Sequence, residues 1–361
     1  MTRLRIVLAA TISIGTVAAA LADEPGNSRI YENRIAPVRD PRPILADHPR
    51  FVAPIRETAR FESPVLVDDP GADLEVRTWR FSYNARGIIE IPQRLDSRRT
   101  AIIVVHPWGI DDGSGWRTPE PAGAAFQCTP DKNAVVLEHA STVIDPFLRK
   151  WRPRVGLVGY SLPGKEDPIR KSIYRSVRSE PDELSFLHGG KLLADRLARF
   201  DYRGSPLPAA IDVRSETPTI DYLSAFPGLD AGPKYDPPGF WELPVPVMKP
   251  IEVFPTDYVF YDAEGYEAIR DLLRSKGIRH VLLAGYNTDM CVCSTTAGYR
   301  NLQKDFDVFL VGDATIATFP AQPTPANATN AAVAFASLNL FITQVSWVVP
   351  IERNGAGDDE K

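Results

Sequence analysis

The strongest constraint on the fold is a set of short apolar runs in which polar and apolar positions do not alternate: Thr100–Val105, Arg154–Tyr160, His280–Gly285 and Asp307–Gly312. A strand that is apolar at successive positions is covered on both faces, which points to a parallel sheet rather than a half-solvated antiparallel one. Helical patterns precede the last three runs, at Lys132–Trp151, Ala263–Lys276 and Ser294–Gln303. Strand, helix and strand in alternation predict right-handed crossovers and a three-layer α/β/α domain with a central parallel sheet. This domain is expected over residues 98–350, with Asn327–Gln344 as a last helix packed on the sheet.

Before the domain, Leu74 to Pro92 alternates, breaks at Ala85-Arg86-Gly87 and resumes as Ile-Ile-Glu-Ile, the pattern of an N-terminal β-hairpin. The chain holds 33 prolines, many of them in residues 25–70 and 206–246. Residues 23–97 therefore divide into a proline-rich arm, wrapped on the body or loose, and the β extension. The stretch 206–246 reads as a long insertion that builds part of a pocket. Residues 351–361 read as a disordered acidic tail.

The first 22 residues have a basic start, an apolar stretch from Ile6 to Ala20 and small residues at Ala20-Leu21-Ala22. These are the three parts of a secretory signal peptide, and the stretch is shorter than the ~20 residues that span a bilayer. The expectation is an exported protein, periplasmic or secreted, with no membrane segment after cleavage. A net charge of -5 and a pI near 5.7 disfavour nucleic acid or an anionic membrane as partner, so a small-molecule substrate is expected. Cys128, Cys291 and Cys293 are too few and too oddly numbered for a disulfide framework, although a bridge from Cys128 stays open.

Chemistry concentrates in Ala284-Gly285-Tyr286-Asn287-Thr288-Asp289-Met290-Cys291-Val292, which follows a buried strand and opens a helix. Gly285 permits a sharp turn at the strand's carboxyl end. A helix start beside Cys291 would favour thiolate over thiol, although free cysteine is also a common buried hydrophobe. Two weaker signals stand apart from this segment. Gly159-Tyr160-Ser161 is part of a serine nucleophile elbow, but the second glycine, Gly164, lies one residue too far. His139 and His188 are too distant in sequence to suggest a metal site, and Asp111-Asp112-Gly113 lacks the alternating ligands of a calcium loop. No metal is expected.

The segment around Cys291 resembles the isochorismatase-like cysteine hydrolases, a family that includes nicotinamidases and N-carbamoyl amidohydrolases. Gly285, Thr288, Cys291 and Val292 match its Gly-x-x-Thr-x-x-Cys-Val signature, and Phe309-Leu-Val-Gly-Asp313-Ala314 matches its next strand. The resemblance covers roughly residues 98–345. It implies a hydrolase of amide-type C–N bonds acting through a thioester on Cys291, with no cofactor. It further implies that Lys249 stabilises the anionic cysteine, that the backbone N–H groups of Asn287 and Cys291 hold the oxyanion, and that a cis peptide joins Tyr286 to Asn287. Homo-oligomers are implied as well.

The chain departs from the family at the first strand, where the customary Asp is His106. Three readings stand: His106 is the general base, Asp111 or Asp112 loops back to replace the carboxylate, or the base is lost and the protein is an inactive binding or scaffold protein. Isochorismate-type ether hydrolysis, which needs no cysteine, is a further alternative. Trp108, Trp116 and Tyr286 are the expected substrate-pocket walls.

Overall fold

The computed structural model describes residues 30–51, 54–82, 84–108, 130–199, 210, 212–225, 243–288 and 290–316. The expected signal peptide, tail and final helix lie outside these residues, as do Asp111, Asp112, Trp116, Cys128 and most of the 206–246 insertion.

Two sheets organise the described residues. The first is four-stranded, in the order β1-β2-β4-β3, with β1 at Ala36–Pro37, β2 at Arg60–Glu62, β3 at Leu74–Ser82 and β4 at Gly87–Leu95. Strands β3 and β4 form the expected hairpin, paired antiparallel from Leu74↔Leu95 to Ser82↔Gly87. The proline-rich arm supplies the other two strands, and β2 runs parallel to β4. A charge cluster explains the docking: Arg60 and Arg77 both reach the buried Glu90 carboxylate, and Arg77 also reaches Glu62. Arg60 and Glu90 are each almost fully buried, so removing one partner would strand the other's charge away from water. Asp69 extends the anchorage to the second sheet, accepting from the Asp96 N–H at 3.0 Å and pairing with His280 Nε2 at 2.8 Å.

The second sheet is five-stranded and wholly parallel, in the order β7-β6-β5-β8-β9. Its strands are β5 (Thr100–Val105), β6 (Leu157–Leu162), β7 (Tyr258–Tyr261), β8 (His280–Tyr286) and β9 (Asp307–Ile316). Every residue of β5 is inaccessible to solvent, as its unbroken apolar pattern requires. One face packs Ile102, Val104, Val158, Leu282 and Ala284 against Val136, Ala140, Ile144 and Leu148. These belong to Pro130–His139, a π-helical turn at Ala140–Ile144 and Asp145–Trp151, which together fill the expected first helix. The other face packs Ala101, Ile103, Val105, Val281 and Leu283 against Ile269 and Leu273 of the helix Tyr266–Ser275 and against Leu302. The three-layer α/β/α arrangement follows from these two cores. Each fully buried Val, Leu or Ile in them contributes roughly 1.5–3 kcal/mol.

Strand order positions the site. From β5 the chain winds outward through β6 and β7, then crosses to the opposite side of β5 for β8 and β9. The direction of winding therefore reverses between β5 and β8, and ligands of open parallel sheets bind at such a switch point, beyond the strands' carboxyl ends. There β5 and β8 approach so closely that Gly285, at φ +109°, could not carry a Cβ: the atom would fall 2.1 Å from the Val105 carbonyl oxygen. Gly285→Ala is expected to cost about 3 kcal/mol or more, from the left-handed backbone together with the clash. Denaturant unfolding measures it, and an unchanged midpoint would contradict this reading of the close approach.

Candidate active site

Residues at the ends of four neighbouring strands converge at the switch point. His106 follows β5 directly, with φ at +46°, a region rarely used by residues other than glycine. Its N–H donates to the Ser161 carbonyl of β6 at 2.9 Å, which turns the chain out of the strand and fixes where the ring projects. The ring is nearly buried, and Nε2 donates to Asp262 Oδ2 at 2.7 Å. Asp262 follows β7 and opens a 3-10 turn at Asp262–Glu264. Its carbonyl accepts from Thr296 Oγ1 at 2.7 Å, and its Oδ1 accepts from Ser161 Oγ at 3.3 Å.

The same imidazole lies beside Cys291, whose sulfur is among the groups that raise its proton affinity. Burial works against a charged ring here. The charge on Cys291, the hydrogen bonds to Asp262 and Cys291 and the charge on Asp262 together outweigh it, and the proton affinity of His106 is raised from 6.5 to about 10. At neutral pH the ring is therefore an imidazolium, flanked by the Asp262 carboxylate and the Cys291 sulfur. Cys291 is a free, partly accessible thiol, whereas Cys293 is buried and its Sγ–H donates to the Thr288 carbonyl at 3.0 Å.

The turn carrying Cys291 is fixed by short-range bonds. The Tyr286–Asn287 peptide is cis. The Asn287 carbonyl accepts from the Met290 and Val292 N–H groups at 3.1 and 3.2 Å. Thr288, wholly buried, donates its N–H to the Ile316 carbonyl and shares a 2.7 Å hydroxyl bond with Thr315 of β9. That contact gives the threonine of the signature its structural task. Among the described residues, the Asn287 and Cys291 N–H groups are not donors in these turn bonds.

Two expectations are corrected. The helix expected over Ser294–Gln303 is two four-residue turns, Cys291–Ser294 and Tyr299–Leu302, split around Thr295–Gly298. So short a turn has little dipole, and the contact with His106 supplies the charge that a long helix was expected to provide. Tyr286 is not a pocket wall. Its ring lies in the core, with the hydroxyl 2.8 Å from His139 Nδ1 while His139 Nε2 donates to the Asp313 carbonyl at 2.7 Å. The buried His139 is thus a tie between strand ends. The carboxylate beside His106 is Asp262, which follows β7, a strand the sequence patterns did not reveal.

Trp108 is half-buried against the core, beside Pro107, whose carbonyl accepts the Met248 N–H at 2.7 Å. Lys249 follows Met248 and is the exposed residue of a turn closed by the Ile251 N–H to Met248 carbonyl bond, both of whose ends are buried. Two arginines, the buried Arg170 and the partly buried Arg152, secure this segment. Arg170 bridges the Pro163 and Val245 carbonyls beneath the Tyr261 ring, and Arg152 joins Asp257, Tyr160 and the Glu252 carbonyl.

The charge arrangement fixes a pH signature. Iodoacetamide labelling of Cys291 is expected to change in two steps, the upper one near pH 10 where His106 loses its proton. Asp262→Asn removes a negative charge and an acceptor, so the upper step moves to lower pH by about one unit or more. A single-step profile, or an upper step untouched by Asp262→Asn, would contradict the arrangement.

Among known protein families, the Isochorismatase domain matches residues 240–339. A comparison with curated proteins gives no match. Solved structures similar to this chain include a cysteine hydrolase from Pseudomonas syringae pv. phaseolicola 1448A, at 17% identity and a TM-score of 0.33, covering 68% of this chain and 86% of that one. The nicotinamidase/pyrazinamidase from Bacillus subtilis matches at 13% identity and a TM-score of 0.31, covering 67% and 96%. YcaC from Pseudomonas aeruginosa, with hexane-2,5-diol and covalent acrylamide, matches at 13% identity and a TM-score of 0.26, covering 72% and 78%. The matched stretch contains Lys249, Asp262 and Cys291.

Proposed function

We propose that the protein is an exported cysteine hydrolase that cleaves an amide-type C–N bond in a small molecule. The observation that carries the reading is the His106 ring held between the Asp262 carboxylate and the Cys291 sulfur. Nucleophile, acid–base group and orienting carboxylate then form one line, the arrangement by which a weak nucleophile is activated and a poor leaving group protonated. The isochorismatase match over 240–339 supports the assignment to this hydrolase class. Export rests on the basic, then apolar, then small-residue order of the first 22 residues.

In this mechanism the Cys291 thiolate adds to the substrate carbonyl, forming a C–S bond and placing charge on the oxygen. The N–H groups of Asn287 and Cys291 receive that oxyanion. His106 gives its proton to the nitrogen as the C–N bond breaks, and the amine leaves from a thioester. The now neutral ring takes a proton from water, whose hydroxide attacks the thioester carbonyl. Collapse releases the acid and restores thiolate and imidazolium. Asp262 fixes the ring and stabilises its charged form, the task of the third member of such a triad. The exposed Lys249 adds positive potential for an anionic substrate or intermediate, and Trp108 lines the apolar side of the pocket.

Incubation with a panel of small primary amides and N-carbamoyl compounds tests the proposal by ammonia release and intact-protein mass. At least one compound should yield ammonia and a transient acyl adduct on Cys291, and Cys291→Ala should lower the rate by about 10⁴-fold or more. Turnover that survives Cys291→Ala would contradict the thioester route.

A further inference from the structure

We propose that Ser161 is a positioning residue that locks Asp262 and His106 into a single geometry. The inference rests on the triad reading and extends it to the strand between its members. In the sheet order, β6 lies between β5, which presents His106, and β7, which presents Asp262. Ser161 pairs with Val105 on one side and with Phe260 on the other. It is thus the residue flanked by both arms of the pair, and it bonds to both.

The two bonds come from different parts of Ser161. Its carbonyl accepts the His106 N–H at 2.9 Å, holding the backbone from which the ring projects. Its hydroxyl donates to Asp262 Oδ1 at 3.3 Å, while Oδ2 takes His106 Nε2 at 2.7 Å. A carboxylate held through one oxygen can rotate about its Cβ–Cγ bond; a donor on each oxygen removes that freedom. Thr296 holds the Asp262 carbonyl, so the residue is secured at main chain and side chain alike. Ser161 is completely buried, and its hydroxyl proton points at a carboxylate. It is therefore neither accessible to substrate nor free to act as a nucleophile.

This also accounts for Gly159-Tyr160-Ser161, the fragment of a nucleophile elbow. Gly159 and Ser161 lie on the same side of β6. A Cβ at Gly159 would come within 2.4 Å of the Phe260 ring, so the glycine admits Phe260 rather than shaping an elbow. The serine beyond it faces Asp262.

Among the described residues, the titratable groups acting on the His106 ring are Asp262, which is hydrogen-bonded to it, and Cys291 beside it, and the side chain bonded to the far oxygen of Asp262 is Ser161. The pH profile of Cys291 alkylation in the full chain therefore reads the proposal. Ser161→Ala and Ser161→Gly both delete the hydroxyl, Ser161→Thr retains it, and thermal melting identifies which variants are folded. The upper step of the profile should fall by about half a pH unit or more in the deletion variants and stay in place with threonine. In an Asp262→Asn background, deleting the hydroxyl should cause no further fall, because residues acting through one partner are not additive. An upper step unmoved in folded deletion variants, or moved equally in both backgrounds, would overturn the role of Ser161. A wild-type profile without the upper step, or one retained by His106→Ala, would instead overturn the triad reading on which it rests.

Discussion

One contact organises the site: the His106 imidazole, charged and nearly buried, between the Asp262 carboxylate and the Cys291 sulfur. A charge held out of water is tolerable only when opposite charges and hydrogen bonds replace the solvent it loses. Here the Asp262 carboxylate and the Cys291 sulfur share that duty, one following β7 and the other in the turn after β8. The arrangement therefore depends on the register of a sheet whose members are far apart in sequence, 156 positions in the case of His106 and Asp262. A shift of β7 by one residue against β6 would turn Asp262 toward the opposite face and leave the imidazolium without its carboxylate.

The surrounding structure reads as support for that register. Gly285 permits the close approach of β8 to β5, Ser161 ties β6 to both neighbours, and Thr288 ties the cysteine turn to β9. Arg152 and Arg170 brace the irregular segment leading into β7. At the opposite end of the parallel sheet, the His280–Asp69 pair fastens the N-terminal strands to the main body. The arm of the molecule is thus part of its framework: Ala36–Pro37 and Arg60–Glu62 join the first sheet, Ile44 and Ile55 bridge one another, and Phe51 enters the main core.

The parallel sheet was legible because β5 and β8 are long enough, and apolar enough, to exclude other readings. Cys291 and His106 were legible because each directly follows such a strand or its turn. Asp262 was not. Its strand is four residues long, Tyr-Val-Phe-Tyr, in a stretch where prolines and aromatics blur the pattern, and a carboxylate 156 positions from its histidine leaves no local trace. Once β5 was known to end in histidine rather than Asp, a search for an acidic residue at another strand end would have been the usable signal. Tyr286 shows the converse error: its place beside the signature suggested a pocket, but β-strand alternation turns it toward the core and His139. The helix after Cys291 failed at Thr295–Gly298, where the Gly298 N–H closes a turn onto Thr295 and the chain leaves helical geometry.

The central claim is that His106 is an imidazolium because Cys291 and Asp262 hold it so. Long-range proton–nitrogen correlation spectra of the ¹⁵N-histidine-labelled protein measure this directly, with His106→Ala identifying its signals among the five histidines. At about pH 8, well above the ordinary histidine value near 6.5, both ring nitrogens of His106 should show the shifts of a protonated ring. Those shifts should revert toward neutral imidazole in Cys291→Ala. A neutral His106 in the wild-type protein at that pH, or a ring whose state ignores the loss of Cys291, would contradict the account.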